Sequence, residues 1–378
     1  MNTLLEGIRV IDLSRTLAAP FCSMILADLG AEVIKVENPD GGDDSRAYGP
    51  MINGKSGYFA SINRGKKSVT LDLKKPESIE KLGKLLKNAD VMLDNFRPGV
   101  LDRLGITEAW LKEINPELIV ASVTGFGHTG PYREKAAYDM VVQGYSGIMS
   151  LTGEPENPPT RVGISLGDLA AGLYAAIGIV SSLYARTLSK KGNRLDISML
   201  DCQVALLENS IVRYKATGDT PGRIGNRHPS ITPFQMYKSK DGYIIICAGN
   251  EKTWTSLCDA LKCPELADDP RFIGNVSRTA NVEALYGLLN EALKEKTTAE
   301  WIDVLEEVGV PCGPVNDVAG IAENEQVKAR EMVVGIDCPD MGRVYASGSP
   351  IKSSNYSLNI KDPAPALGEN NDILDGLT

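Results

Sequence analysis

Histidine is almost absent from this sequence: His128 and His228 are the only two among 378 residues. That count excludes a metal centre or proton relay built from three or more imidazoles. A Ser-His-Asp triad needs only one histidine, but no G-x-S-x-G elbow is present to carry its serine. Cysteine is scattered, at positions 22, 202, 247, 258, 263, 312 and 338, with no C-x-x-C pair and no zinc-type His-Cys spacing. These read as reduced thiols in a cytoplasmic protein. Excess positive charge is lacking too: the formal net charge is -9 and the pI is near 5.0, which argues against nucleic acid as the main partner. The opening MNTLLEGIRVIDLS has no basic n-region and no apolar h-region, so no signal peptide is expected.

What is present is one long apolar run, Arg161 to Leu188, with a single carboxylate, Asp168, at its front edge. From Leu169 to Tyr184 the run is apolar all round rather than striped, which predicts a helix buried within a large core. A membrane span is the competing reading by length. The two glycines and two serines between Leu169 and Tyr184, and the lack of a second such run, argue for the core. Asp168 itself is open to two readings. Ser165 and Asp168 form an S-x-x-D pattern ahead of an apolar run, which is a capping signature. Gly163 and Gly167 leave room for a ligand to approach the backbone, and an acid beside apolar surface is a reactive-group candidate.

Hydrophobic residues make up 43% and charged residues 24% of the chain, enough for two or three domains with a sizeable core. The first third alternates strands (8–13, 32–37, 91–96, 118–123) with helices (20–29, 76–88, 108–114), which implies a parallel sheet covered on both faces. No G-x-G-x-x-G follows the first strand and no G-x-x-x-x-G-K-[ST] occurs anywhere. Gly125, Gly127 and Gly130 match the first spacing, but after the fourth strand and ahead of a polar segment. The fold class expected is therefore α/β, Rossmann-like without the usual ligand motif. Residues 1–217 form the large domain, with a strand at 194–200 and a helix at 201–217. Residues 218–233 read as a linker, and 234–325 as a smaller α+β domain. The tail follows from 326 to 378, strand-like over 337–358 and extended from Pro363 to Thr378.

Two constellations invite chemistry. Asn63-Arg64-Gly65-Lys66-Lys67 with Lys74-Lys75 is a basic cluster in an acidic chain, either a solvated face or a phosphate dock helped by Arg97 and Arg103. The Gly125–Pro131 loop is either a tight turn or a set of backbone amides facing an oxyanion.

Taken together, GIRVIDLSRTLAAPFCSMILADLGAEVIKVENP, NRGKKSVTLDLK, DNFRPGVLDRLG, GFGHTGPYREKAAYD, VGISLGDLAAGLYAA and RLDISMLD resemble the class III CoA-transferases. That family includes formyl-CoA and carnitine CoA-transferases and the α-methylacyl-CoA racemases. The resemblance implies that Asp168 is the nucleophile, attacking an acyl-CoA thioester to form an aspartyl-acyl anhydride and then an aspartyl-CoA thioester. It implies that Leu71, Asp72, Leu73 and Lys74 meet the adenine end of CoA. Asn95, Phe96, Arg97 and Arg103 would hold its phosphates and pantetheine, and Ala136, Ala137, Tyr138 and Asp139 would form a further CoA segment. The partners implied are acyl-CoA and a small carboxylic acid as substrates, with no metal, no tightly bound cofactor, no nucleic acid and no membrane. The fold implied is an open ring that interlocks with a second subunit as a homodimer, with the C-terminal segment returning to the large domain.

Departures from the family's patterns narrow the reading. Racemases carry a histidine where this chain has Tyr138, which points to the transferase branch. The formyl-CoA transferases have a glycine run after their H-P-x-x-x-P segment and an amide side chain where this chain has Leu17. Here Pro233 is followed by Phe234-Gln235-Met236-Tyr237. These differences point away from oxalate or formate as substrate. A racemase, a CoA-binding protein without chemistry, and lastly a nucleotide-dependent dehydrogenase are the alternatives.

Overall fold

The computed structural model describes residues 3–376. The chain divides into two units: residues up to 149, 161–218 and from 325 onward form the first, and residues 150–160 and 219–324 form the second. The segment 150–160 thus groups with the second unit rather than with the large domain in which the sequence places it.

The first unit is built on a six-stranded sheet. Its strands are β1 (Arg9–Asp12), β2 (Glu32–Glu37), β5 (Lys67–Thr70), β6 (Val91–Asp94), β7 (Ile119–Thr124) and β8 (Asn193–Ser198), with a small hairpin, β3 (Met51–Ile52) and β4 (Lys55–Ser56), outside it. The spatial order is β5-β2-β1-β6-β7-β8 and every neighbouring pair is parallel. This is the doubly wound order, reversing direction between β1 and β6. β6 and β7 are buried along their whole length, as central strands in a sheet covered on both faces should be.

Helices α1 (Ala18–Asp28) and α8 (Leu166–Ser189) cover one face, sharing a core with Val10, Val33, Val91 and Ile119. Helices α2 (Gly57–Ile62), α3 (Pro76–Lys87), α4 (Val100–Arg103), α5 (Glu108–Ile114), α6 (Asp139–Ser146) and α7 (Ile148–Leu151) come between them in the chain. α3 and α5 pack on the other face through Leu82, Leu85, Leu86 and Leu111. α3 starts on Pro76, carries Glu77 in its first turn and ends on Lys84 and Lys87, so its charges follow the helix dipole.

α8 departs from the expectation of complete burial. Ala171, Ala175, Ile179 and Leu183 are buried against the sheet, but Leu173, Ile177, Val180, Tyr184 and Leu188 form an apolar stripe facing outward. Ile177 is 62% exposed, Tyr184 71% and Leu188 76%. α8 is long and apolar enough to cross a membrane by length and composition, while its inner face belongs to the core. α8 approaches α1 closely at Gly172: a Cβ there would lie 2.7 Å from the Ala18 carbonyl oxygen and 2.9 Å from the Phe21 ring.

The expected helix at 201–217 is two helices, α9 (Met199–Ala205) and α10 (Ser210–Thr217), broken where Glu208 takes a left-handed φ of 54°. α9 buries Met199, Cys202 and Gln203, whereas α10 buries nothing, so no continuous packing face holds the two in line.

In the tail, a hairpin of β12 (Val333–Cys338) and β13 (Gly342–Ser347) packs with Ala60 and Ile360. The stretch expected to be extended from Pro363 contains a short helix at Asp372–Asp375, and its ends Leu377 and Thr378 lie outside the described residues. Asn370 and Asn371 pair with the outer edge of β5, accepting from Ser68 N at 2.9 Å and Thr70 N at 2.8 Å. An otherwise open sheet edge is thereby closed.

The second unit holds an antiparallel sheet of β9 (Phe234–Lys238), β10 (Tyr243–Cys247) and β11 (Cys312–Pro314), with β10 central. Its helices bury Trp254, Leu257, Leu285, Leu289, Trp301 and Leu305.

Gly172→Ala is expected to destabilise the chain by about 1–3 kcal/mol, because the new methyl meets rigid backbone. Gly178→Ala on the same helix meets only the tip of Leu195, 3.2 Å away. There the gain in helix propensity of about 1 kcal/mol offsets the contact. Urea midpoints of the two variants check the contrast.

Candidate active site

Asp168 stands in the first turn of α8. The capping interpretation does not hold: Ser165 is the N-cap residue, but its side chain makes no cap hydrogen bond. The start of the helix is held instead from another element. Asp139, buried at the head of α6, accepts from Gly167 N at 2.8 Å through Oδ1 and from Gln143 Nε2 at 2.8 Å through Oδ2. Gln143 Oε1 in turn accepts from Val162 N at 2.9 Å. Gln203 of α9 is fully buried beside Gly167, where a Cβ would lie 2.2 Å from its Nε2. Its Oε1 accepts from Ser146 Oγ at 3.0 Å, and its Nε2 has no hydrogen-bond partner among the described residues.

Within this frame the Asp168 carboxylate itself makes no hydrogen bond to the described residues. Burial, with the nearby Asp139 carboxylate as a smaller second cause, pushes it up to about 7. A lone carboxylate in apolar surroundings loses hydration that nothing replaces, so its charged form is disfavoured. Tyr58 on α2 faces the same region. Burial and then the charge of Asp168 push its phenol up to about 12, and its ring meets that of Tyr48 edge-on with centroids 5.6 Å apart.

The residues assigned to CoA by resemblance follow β5 and β6 or lead into α6, and the structure sorts them by accessibility. Leu71 is buried beyond β5 and Leu73 packs against the same core, so neither leucine side chain is free there; Asp72 Oδ1 accepts from Lys74 N at 3.1 Å, and Lys74 is exposed. Asn95 and Phe96 are half-buried beyond β6, and the Asn95 side-chain amide is bonded to the backbone of Arg15. Arg97 and Arg103 are exposed and share a cleft of about 560 Å³ with His128, Arg133 and Glu134. Arg133 escaped the sequence reading, although it lies within a quoted motif. Ala136 is exposed, and Ala137 sits on Gly125, where a Cβ would lie 2.1 Å from the alanine methyl. Tyr138 is 78% exposed, whereas Asp139 faces inward.

Two sequence readings change. The basic cluster at 63–67 is neither a solvated face nor a phosphate dock. Arg64 is buried and doubly bonded to Asp28 at 2.8 and 2.6 Å, Lys66 is buried against Asp12, and Lys67 pairs with Glu32 at 2.6 Å. In the Gly125–Pro131 loop the amides of Gly127 and His128 already donate to Thr124 Oγ1 and Asp196 Oδ2, both at 2.9 Å. With φ near 80° at Gly127 and Gly130, the loop is the tight turn. Phe126, Tyr132 and Tyr145 stack edge-on beneath it, and Lys135 lies over the Tyr132 ring at 3.7 Å.

A family model described as CoA-transferase family III matches residues 5–371. The chain belongs to CoA-transferase family III. It is 46% identical over 366 residues to the acetyl-CoA:oxalate CoA-transferase of Acetobacter aceti, covering 96% of this chain and 93% of that protein. It is 38% identical to the succinate–glutarate CoA-transferase of Agrobacterium fabrum, covering 97% and 93% of the two chains. Among solved structures, a CAIB/BAIF family protein from Brucella suis superposes with a TM-score of 0.89 at 41% identity, covering 99% of both chains. As a family III CoA-transferase the protein is an enzyme, and acyl-CoA is a substrate of its family.

The elevated carboxyl has a consequence for stability. Its folded pKa of about 7 lies above the ordinary 3.8, so the folded state binds the proton more tightly and stability falls as pH rises from about 4 to about 7. Asp168→Asn, which carries no such charge, is expected to be more stable than the parent at pH 8 by about 2 kcal/mol and no more stable at pH 4. Denaturant titrations at the two pH values check the difference.

Proposed function

We propose that the enzyme moves CoA from an acyl-CoA to a free carboxylic acid through two covalent intermediates on Asp168. The ionised carboxylate attacks the thioester carbonyl; a new C–O bond forms, the C–S bond breaks, and CoA leaves as thiolate. The thiolate then attacks the aspartyl carbonyl of the mixed anhydride, releasing the donor acid and leaving an aspartyl-CoA thioester. The acceptor carboxylate attacks that thioester and expels CoA thiolate, which takes up the acceptor's acyl group as the aspartate is released. Each step exchanges one activated acyl derivative for another of similar energy, so no single barrier carries the whole transfer.

The observation that carries this reading is the Asp168 carboxylate, unpaired and only partly accessible at the start of an otherwise apolar helix, with its affinity for a proton raised to about 7. Basicity helps a nucleophile, and the missing hydration shell does not have to be stripped at the moment of attack.

For CoA we propose contacts from the side chains of Lys74, Arg97 and Arg103, joined by Arg133 in the arginine-lined cleft. The backbone at 71–72, 95–97 and 136–138 would complete the path toward Asp168. Guanidinium groups suit phosphates because they donate in a planar fork. No tightly bound cofactor is invoked. A racemase is disfavoured by Tyr138. For the acceptor we propose a small dicarboxylic acid, since the relatives named above act on oxalate and on succinate or glutarate. The departures at Leu17 and after Pro233 then adjust the site rather than remove that class.

We also propose an interlocked homodimer in the cytoplasm, with the outward stripe of α8 covered by the partner. Five large apolar side chains in one exposed row are more than an isolated subunit usually shows to water. Light scattering should return twice the chain mass of 40.7 kDa, and Ile177→Asp should shift the population toward monomer.

Intact-mass spectrometry after incubation with an acyl-CoA, followed by hydroxylamine trapping, tests the chemistry. The expected result is a hydroxamate on Asp168, absent in Asp168→Asn, which should lose at least about 10³-fold in kcat. Solvent deuterium entering the acyl α-carbon without any Asp168 adduct would instead point to racemisation. In the free enzyme, kcat/KM should rise with pH to a plateau above about 7. Asp139→Asn should move that rise toward lower pH by removing the neighbouring negative charge.

A further inference from the structure

The loop from Ser14 to Leu17 leaves the carboxyl end of β1 at the point where the sheet reverses direction, opposite Asn95 at the end of β6. Crevices at such points are where doubly wound sheets take their ligands. The loop here is not free to adapt. Ser14 N donates to Asp12 Oδ1 at 2.9 Å, and the Ser14 hydroxyl bonds the same oxygen. Lys35 Nζ donates to Ser14 O at 2.6 Å and pairs with Asp43 at 2.8 Å. Thr16 N donates to Asp43 Oδ1 at 3.0 Å. The backbone groups of Arg15 belong to Asn95: Arg15 N donates to Asn95 Oδ1 at 3.0 Å, and Asn95 Nδ2 donates to Arg15 O at 2.7 Å.

Asp12, Lys35 and Asp43 are all buried, and Lys66 joins them through Asp12 at 3.3 Å. A buried charge cluster of this kind gains little stability over apolar packing, but it fixes geometry, since any displacement strands a charge. What it fixes is a strained backbone. Thr16, a β-branched residue, has a φ of 71°, a conformation that costs roughly 1–2 kcal/mol and persists only where the surroundings over-determine it. Immediately beyond, Leu17 opens α1. The Ala18 carbonyl packs at Gly172, one helical turn from Asp168 on the same side of α8. The loop therefore stands between the CoA-side strand end and the helix face that carries the nucleophile.

We propose that the Asn95 side chain is a positioning residue rather than a CoA ligand, tying the end of β6 to the Ser14–Leu17 loop so that this loop borders the acyl group on Asp168 in a fixed place. Both ends of its amide are engaged by Arg15, with one N–H and one lone pair left over, so the side chain cannot swing toward CoA without releasing the loop. The proposal rests on the transferase reading for its catalytic consequence, but not for its structural one.

The test combines three readouts on Asn95→Ala and on the milder Asn95→Asp, which keeps the acceptor for Arg15 N and loses the donor to Arg15 O. Isothermal titration with CoA alone should give a Kd within about twofold of the parent. Hydrogen exchange of the peptide spanning Arg15 and Thr16 should quicken by about tenfold or more in Asn95→Ala and less in Asn95→Asp. Steady-state kinetics should show kcat reduced by about tenfold or more in Asn95→Ala, with partial recovery in Asn95→Asp. A Kd for CoA raised about tenfold with unchanged exchange at Arg15 and Thr16 would overturn the proposal and make Asn95 a direct ligand. Should Asp168→Asn transfer CoA at the parent rate, the transferase mechanism would fall, while the Kd and exchange results would still decide the role of Asn95.

Discussion

A carboxylate kept from water without a hydrogen-bond partner must be held against its own desolvation, and much of the first unit is arranged around that requirement at Asp168. Most of its polar neighbours are engaged elsewhere, the Gln203 side-chain nitrogen being the exception. Asp139 closes on Gly167 N and Gln143, Gln143 closes on Val162, and Ser146 takes the carbonyl end of Gln203. What is left for Asp168 is a helix whose inner face is alanine and leucine, and a second negative charge nearby. An isolated buried charge is costly enough that proteins ordinarily neutralise or pair it. Here the proton affinity rises instead, which would supply the basicity that the proposed nucleophile needs.

The second organising constraint is the reversal of strand order between β1 and β6. It brings residues 13–17 and 95–97 face to face although some 80 positions separate them in the chain, as the Arg15–Asn95 pair shows. The charges beneath that crevice come from four separate segments: Asp12 at the end of β1, Lys35 in β2, Asp43 beyond it, and Lys66 ahead of β5. They cross-link the first strands of the sheet at the end where ligands gather. The large unit thus has an apolar core for stability and a charged one for geometry, with α1 bridging the two.

The sheet could be read from the sequence because buried parallel strands are short apolar runs, and VMLD and IVASVT carry that signature without help from distant residues. Asp168 could be singled out, but its environment could not. The S-x-x-D spacing suggested a local cap, while the cap actually used arrives from Asp139 on another helix. The basic cluster at 63–67 misled for a similar reason: composition shows the charges, but Asp12, Asp28 and Glu32, which neutralise them, precede them by 35 residues or more. The all-round apolar character of α8 has two meanings that composition cannot separate, because a face against a core and a face against another subunit both exclude water. Arg133 was missed because a single arginine in a polar loop carries no signal until the fold brings it to Arg97 and Arg103.

The closing of the β5 edge by Asn370 and Asn371 bears on how the polypeptide matures. Strand β5 is made early, yet the groups that satisfy Ser68 and Thr70 are translated about 300 residues later. Between them comes the whole of a second unit, whose sheet and helices draw only on residues within it. A ribosome will therefore have released that middle unit, free to fold, while the outer sheet still shows an unpaired border to solvent or to a chaperone. Completion of the sheet waits on translation past residue 371, and a nascent chain stalled before residue 370 is the form most exposed to edge-to-edge aggregation.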